Sequence, residues 1–317
     1  MINTWIKSVG FGVAFGIWAL GSAQAKPLEV VSSFSILADM VQQVGGDKVV
    51  STAIIGPESD AHSFEPRPSD AKTLQKADLV LINGAHFEAW LPRLVQSAGY
   101  QGKVVEAIEG IPLRAYEEEH EPGHDHDHDH HDAHDHHGHD HGEYDPHAWQ
   151  SLAHAQVYVK NIADALIEVD PENSVYYSQR AKDYTQAIQQ LHQRFVEDFA
   201  RIPDQNRTVV TSHDAFGYFG QAYDIEFLSL LGASNQAEPS AKELAGLIDY
   251  MRDNHVKALF MENISSPKLL EQIARETHAK IGKPLYSDAL AKAPHAASTY
   301  LGMMQWNGEA LLEALEP

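Results

Sequence analysis

The sequence predicts an α/β protein of two lobes, each a mainly parallel sheet flanked by helices, joined by one long rigid helix. Three observations carry this expectation. Strand-like apolar runs alternate with helical patterns on both sides of a polar tract at residues 117–143, the order expected of β-α-β units. Residues 172–202 contain neither Pro nor Gly and place Val175, Tyr176, Tyr184, Ile188, Leu191, Phe195 and Phe199 at helical spacings without a strict heptad. Finally, all but about the first 25 of the 317 residues are available for folding, more than one hydrophobic core usually serves.

Residues 1–25 read as a signal peptide. Lys7 precedes an apolar stretch from Val9 to Leu20, and Ala23-Gln24-Ala25 offers small residues at a cleavage site. About a dozen apolar residues are too few to span roughly 30 Å of hydrocarbon, so an exported chain beginning at Lys26 is expected.

The first lobe is assigned to residues 26–171. Leu28 to Ser33 forms the first strand, and Ile36, Leu37, Met40, Val41 and Val44 mark a helix that Gly45-Gly46 closes. Val49 to Ile55 and Asp78 to Asn83 are the next strands, followed by a helix around Pro92, Leu94 and Val95 and a strand at Lys103 to Glu106. A further helix is predicted from Trp149 to Val169, before Asp170-Pro171. The linking helix, 172–202, would be roughly 45 Å long at 1.5 Å per residue. The second lobe, 203–317, is expected to carry strands at Arg207 to Ser212, Glu226 to Leu230, Lys257 to Glu262 and Pro284 to Ser287. Its helices should start near Phe216, Ala241, Pro267 and Ser298.

Composition narrows the chemistry. A formal charge of −22 argues against nucleic acid and anionic membranes as partners. The absence of cysteine removes thiolate sites, cysteine nucleophiles, disulfides and lipid attachment at an N-terminal cysteine, so the exported chain is expected to be free in its compartment. Most of the 20 histidines lie between His120 and His147. His124, His126, His128, His130, His131, His134, His136, His137, His139 and His141 alternate with Asp, a composition associated with metal binding. Gly123, Gly138 and Gly142, with no apolar residue larger than Ala133 among them, predict a disordered loop over 117–143 that captures metal weakly.

Four other residues stand beside predicted strand or helix ends: His62, His147, His213 and Asp288. Together they can supply three neutral imidazoles and one carboxylate, a closed four-coordinate set suited to Zn²⁺. Glu262, after a predicted strand, is placed to orient a ligating imidazole through its second ring nitrogen. Asp214 reads as a helix N-cap. His86 is a weaker candidate for the cleft, and His154, His192, His255, His278 and His295 are expected to face solvent.

The motifs around these residues carry a family resemblance. Ala61-His62-Ser63-Phe64-Glu65-Pro66-Arg67-Pro68-Ser69-Asp70, Asp145-Pro146-His147-Ala148-Trp149 and Thr211-Ser212-His213-Asp214-Ala215-Phe216-Gly217-Tyr218-Phe219 resemble the ligand loops of the metal-specific (cluster A-I) periplasmic substrate-binding proteins of ABC transporters. Glu238-Pro239-Ser240, Phe260 to Pro267 and Leu285 to Leu290 are similar to their second lobe. The resemblance spans the mature chain and is nearest to the zinc-binding ZnuA and AztC type. It implies a metal in the cleft between the lobes, held by His62 and His147 from the first and by His213 and Asp288 from the second. A carboxylate in the third position would suit Mn²⁺, whereas His213 favours Zn²⁺. The cysteine bridge that some zinc relatives carry in the second lobe has no counterpart here.

The implied function is zinc delivery, in the periplasm and as a monomer, to the membrane permease of an ABC transporter, with a periplasmic zinc chaperone as a second candidate partner. Two other readings compete. A zinc store or metallochaperone would use the histidine-rich tract as its main site. A zinc hydrolase would need an open coordination position and a general base, whereas four residues here can fill the tetrahedron and no H-E-x-x-H pair occurs.

Overall fold

A computed structural model describes residues 26–116, 144–231, 239–256 and 258–316. The expected signal peptide, the His/Asp-rich loop and Glu238 lie outside the described residues.

In the first lobe, strands β1 (Leu28–Phe34), β2 (Val49–Ile55), β3 (Leu79–Ile82) and β4 (Lys103–Glu106) form a parallel sheet in the order β2-β1-β3-β4. Helices α1 (Ser35–Gly45), α2 (Pro68–Leu74), α3 (Leu91–Ala98) and α4 (Leu152–Val169) flank it. The linking helix is α5 (Ser174–Phe199). In the second lobe, β5 (Thr208–His213), β6 (Glu226–Leu231), β7 (Ala258–Leu259) and β8 (Lys280–Ile281) repeat the topology in the order β6-β5-β7-β8, again parallel. Helices α6 (Gly217–Tyr223), α7 (Ala241–Asp253), α8 (Lys268–Thr277) and α9 (Tyr300–Leu315) complete it.

Each sheet reverses its winding beside its first strand, so the crevices at the carboxyl ends of β1 and β5 are where such folds place ligands. The helix α5 holds the two crevices in relation. Its 26 residues span about 39 Å, shorter than the sequence predicts because residues 171–173 form a separate 3₁₀ turn and the helix ends at Phe199. Its buried stripe of Tyr177, Tyr184, Ile188, Leu191, Phe195 and Phe199 belongs to a single apolar core that includes Val30 and Phe34 of the first lobe and Phe219 and Met303 of the second. Phe195 alone meets Phe199, Phe219 and Tyr223, and it packs so close to Gly308 of α9 that an added Cβ would lie 2.1 Å from its ring. Fully burying a side chain of this size is worth about 1.5–3 kcal/mol, so the stripe resists bending between the lobes.

Local expectations differ from the fold at a few points. The helix expected from Trp149 begins at Leu152, because Ala148–Gln150 is a 3₁₀ turn and the Ser151 hydroxyl caps the His154 N–H. Helix α2 was not anticipated, although Pro68 at its first turn and Asp70 three residues after Arg67 are start signals. Asp70 Oδ2 accepts the Arg67 N–H at 2.7 Å. The strand expected at Pro284 to Ser287 is absent. The edge strand is Lys280–Ile281, and Leu285 makes only an isolated bridge to Glu262. Pro284 lacks an N–H, the Tyr286 N–H donates to Asn307 at 2.9 Å, and the Ser287 carbonyl accepts from Trp149 and Gln150 of the first lobe at 2.9 and 2.7 Å. The Ser287 carbonyl joins the lobes and the Tyr286 N–H ties the segment to α9, instead of extending a ladder.

Candidate metal centre

Residues that are 226 positions apart at their extremes (His62 to Asp288) meet where the two crevices face each other. His62 stands in the loop between β2 and α2, where its backbone N–H donates to Asp60 Oδ1 at 2.9 Å. His147 directly precedes the turn into α4, and His213 is the last residue of β5. Asp288 follows the backbone segment that grips the first lobe. One donor atom from each of the four lies within 4.8 Å of the other three. Asp288 Oδ2 is 3.3 Å from His62 Nε2 and 3.2 Å from His213 Nε2, and Asp288 Oδ1 is 3.6 Å from His147 Nε2. The Nε2 atoms of His62 and His147 are 3.3 Å apart. The side chains of His147, His213 and Asp288 are fully buried, and that of His62 is 11% exposed.

Two carboxylates behind the cluster decide which way the imidazoles offer their lone pairs. Asp145 Oδ1 lies 2.8 Å from His147 Nδ1 and accepts the same residue's N–H at 2.9 Å. Glu262 Oε2 lies 2.6 Å from His213 Nδ1, and its Oε1 accepts the His213 N–H at 2.9 Å. An acceptor at Nδ1 holds the proton there and leaves Nε2 as the acceptor. The Nε2 atoms then crowd around a buried carboxylate whose two oxygens receive no well-formed hydrogen bond. Electron-rich atoms gathered at 3.2–3.6 Å repel unless a cation stands among them. The donor set of three nitrogens and one carboxylate therefore fits a divalent metal, which this chain would bind as cargo.

Without metal, protons take up part of this field. Burial alone would lower the pKa of His213, but the charges of Glu262 and Asp288 overcome it and hold the imidazole well above its ordinary value. His147 is likewise raised, by Asp288 and Asp145 against burial. Burial would raise Asp288, but the charges of His213 and His147 drive it well below the usual carboxylate range.

The surroundings are dry and aromatic. Phe87 stands edge-on to His62 at 5.1 Å and to His147 at 6.1 Å between ring centroids, and Trp149 closes on His147 at 5.2 Å. Further support comes from residues that sequence reasoning did not assign. Arg114 Nη1 pairs with Asp145 Oδ2 at 3.2 Å, and the Tyr218 hydroxyl donates to the Asp145 carbonyl at 2.9 Å. Asn83 Nδ2 donates to the Pro146 carbonyl at 2.9 Å, and the Tyr158 hydroxyl donates to Asn83 Oδ1 at 2.6 Å. Glu88 accepts from Ser33 Oγ and from the N–H groups of Asn83 and Gly84. Asp145 was visible as the residue two before His147. The others come together only through the tertiary fold.

Some expected roles change. Asp214 is not a helix cap: α6 starts at Gly217 with Phe216 in the cap position, and Asp214 is largely buried near Asp145, with its pKa raised by that burial. His86 is exposed, stands outside the four-residue cluster and lines a separate cavity of about 620 Å³ in the first lobe. His255 and His278 are exposed as expected, but His154, His192 and His295 are half-buried. They pack against Tyr218, Tyr223 and Trp306 respectively. The ten tract histidines lie outside the described residues, but the flanks of the tract are joined by an antiparallel bridge between Ala115 and Tyr144.

Two parallel-sheet lobes on one long helix, with a buried donor cluster between them, define a two-lobed metal-binding protein of the substrate-binding class. The chain belongs to the family described as zinc-uptake complex component A, periplasmic, whose model matches residues 30–314. It is 30% identical over 300 residues to the metal ABC transporter substrate-binding lipoprotein FimA of Streptococcus parasanguinis, covering 93% of this chain and 91% of that one. It is 29% identical over 294 residues to the manganese ABC transporter substrate-binding lipoprotein PsaA of Streptococcus pneumoniae, covering 91% and 89%. The solved structure of the periplasmic zinc-binding protein TroA of Treponema pallidum superimposes with a TM-score of 0.80 at 27% identity, covering 92% of this chain and all of that one. The protein is thus a metal-binding substrate-binding protein of an ABC transporter, a family that hands metal to a membrane permease and is not a family of enzymes. Among the described residues no helix is long and apolar enough to cross a membrane.

Proposed function

We propose that the protein is a periplasmic zinc-binding protein with one high-affinity site, made by His62, His147, His213 and Asp288, which delivers Zn²⁺ to the permease. The observation that carries this reading is the convergence of three Nε2 atoms and one carboxylate in a closed, buried pocket. Tetrahedral nitrogen-rich sets suit Zn²⁺, whereas Mn²⁺ prefers more oxygen and a higher coordination number. Relatives are named for manganese as well as zinc, so the choice of cargo needs a direct test. Simple affinity does not suffice, because Zn²⁺ binds more tightly than Mn²⁺ at most such sites. Uptake does: cells lacking the protein should lose uptake of radioactive zinc while manganese uptake stays within about twofold, and the reverse result assigns manganese.

In this reading residues 1–25 are removed on export, and the His/Asp run at 117–143 captures zinc weakly beside the cleft. Its flanks support that role, since Ala115 and Tyr144 are bridged next to the Arg114–Asp145–His147 chain of contacts. The density of histidine in the run also favours a second reading, a zinc store. Deleting 117–143 should leave one tight zinc per chain, and His62→Ala should weaken that site severely. The opposite pair of results assigns storage.

A further inference from the structure

The two chain segments that bring His62 and Asp288 together are clasped to each other. Leu290, two residues beyond Asp288, is gripped by the first lobe through both of its backbone polar groups. Its N–H donates to Ser35 Oγ at 3.0 Å, and its carbonyl accepts the Glu58 N–H at 2.9 Å. Glu58, four residues before His62, has φ of 57°, a left-handed conformation uncommon for a residue with a side chain. In that conformation both its N–H and its carboxylate reach the second lobe, and Glu58 Oε2 pairs with Lys292 Nζ at 2.9 Å. Lys292 in turn draws the Glu58 carboxyl below its ordinary pKa by this hydrogen bond.

The clasp has an inner and an outer part. The Ser35–Leu290 bond is buried, and so for the most part is a second tie, in which Asp39 Oδ2 accepts the Tyr300 N–H at 2.7 Å. The Glu58–Lys292 pair faces solvent, with side chains 40% and 71% exposed. His62, on the same loop as Glu58, is the member of the donor cluster that keeps some contact with solvent. Glu58 and the partly accessible ligand His62 thus lie on one loop, and that loop must part from the Asp288 segment, which carries Lys292, if the centre is to open.

We propose that Glu58 and Lys292 are positioning residues that form a release latch. Their ion pair holds the His62 loop against the Asp288 segment, and its opening from the solvent side precedes departure of the metal. The inference rests on the reading that the four-residue centre holds the cargo. A partner that offered a carboxylate to Lys292 or a cation to Glu58 would open the latch by exchange, without reaching the buried ligands.

The test is the rate at which zinc leaves the purified full-length protein into excess chromophoric chelator, followed by stopped flow at low ionic strength. Wild-type protein is first titrated to establish one tight zinc; failure there removes the centre itself, and the latch with it. Lys292→Glu places two carboxylates together and should raise the dissociation rate roughly three- to tenfold, as expected for an exposed pair turned repulsive. Glu58→Lys should do the same, and the double exchange should return the rate to within about twofold of wild type. In the unaltered protein, raising salt from about 20 mM to about 500 mM should also speed release, because an exposed pair is screened. Rates in both single variants within about 1.5-fold of wild type would overturn the proposal even with tight zinc retained. So would a double exchange as fast as the singles, or a wild-type rate indifferent to salt.

Discussion

The Glu262 carboxylate holds His213 at two points, lying 2.6 Å from its Nδ1 and accepting its backbone N–H at 2.9 Å. The carboxylate's charge beside Nδ1 favours the proton on that nitrogen, and Nε2 stands on the other side of the ring, 3.2 Å from Asp288 Oδ2. Asp145 does the same for His147 from the other lobe. The arrangement uses backbone as well as ring contacts, so each supporting carboxylate reads the path of the chain as well as the imidazole.

Glu262→Gln should therefore weaken zinc binding by about 10- to 100-fold, the usual loss when a partner of a ligating imidazole is removed. Competition against a chelator of known affinity checks this. His213→Ala, which removes the donor itself, should cost more. A Glu262→Gln variant with wild-type affinity would show that the tautomer is held by something else.

The metal-free and metal-loaded proteins should respond to pH in opposite directions. The raised pKa values of His147 and His213 in the metal-free fold mean that their contribution to stability is present below about 6.5, the unfolded value. It is lost as pH rises through the higher folded values. Asp288, held low by the same histidines, contributes stability that is present above about 3.9 and is lost as pH falls through its folded value. From pH 8 to pH 6 the melting temperature of the metal-free protein should therefore rise. Zinc affinity should fall over the same range, because protons compete for Nε2. An affinity that stays flat from pH 8 to pH 5 is incompatible with three imidazole ligands.

Gly217 opens α6 where a Cβ would lie 2.2 Å from Arg114 Nη1 and 3.0 Å from Asp145 Oδ2. Gly217→Ala should displace the flexible Arg114 head rather than unfold the helix, leaving Asp145 without its cation. The expected result is a loss of zinc affinity of up to about tenfold with little change in melting temperature. In an Arg114→Ala background the same substitution should add almost nothing, which a double-mutant cycle measures.

Glu88 is a second source of pH dependence, away from the ligands. Burial pushes its carboxyl up to about 7, against the hydrogen bonds from Ser33, Asn83 and Gly84. Between about 4.5 and 7 the unfolded chain has lost this proton and the native protein keeps it, so stability falls with rising pH by about 3 kcal/mol. Glu88→Gln cannot ionise and should remove most of that slope. Denaturant midpoints of both proteins at pH 5 and pH 7.5 check it.

Much of the architecture was legible because it rests on local patterns. Leu28 to Phe34 and Thr208 to His213 are short runs built around paired valines and buried along most of their length, and the long stripe from Tyr177 to Phe199 repeats at helical spacing. His62, His147, His213 and Asp288 could be singled out from their positions beside predicted strand and helix ends and from motifs that retain their order. Pro284 to Ser287 misled because an apolar run looks the same whether its backbone joins a sheet or bonds to the facing lobe. Asp214 misled because its place beside His213 suits a cap, and only the fold shows the helix starting three residues later.

The sequence by itself determined that the chain handles metal, the repeat of β-α-β units and the four residues offered as donors, since these depend on side-chain type and short-range spacing. Tertiary structure decided what those donors can do. It set Asp145 and Glu262 behind two of the imidazoles, brought Arg114 and Gly217 against Asp145, and closed Glu58 onto Leu290 and Lys292. Apart from the Asp145–His147 contact, these relationships join residues from separate segments of the chain. Their energies come from distances of about 3 Å that only the packed lobes establish, and no local pattern encodes them.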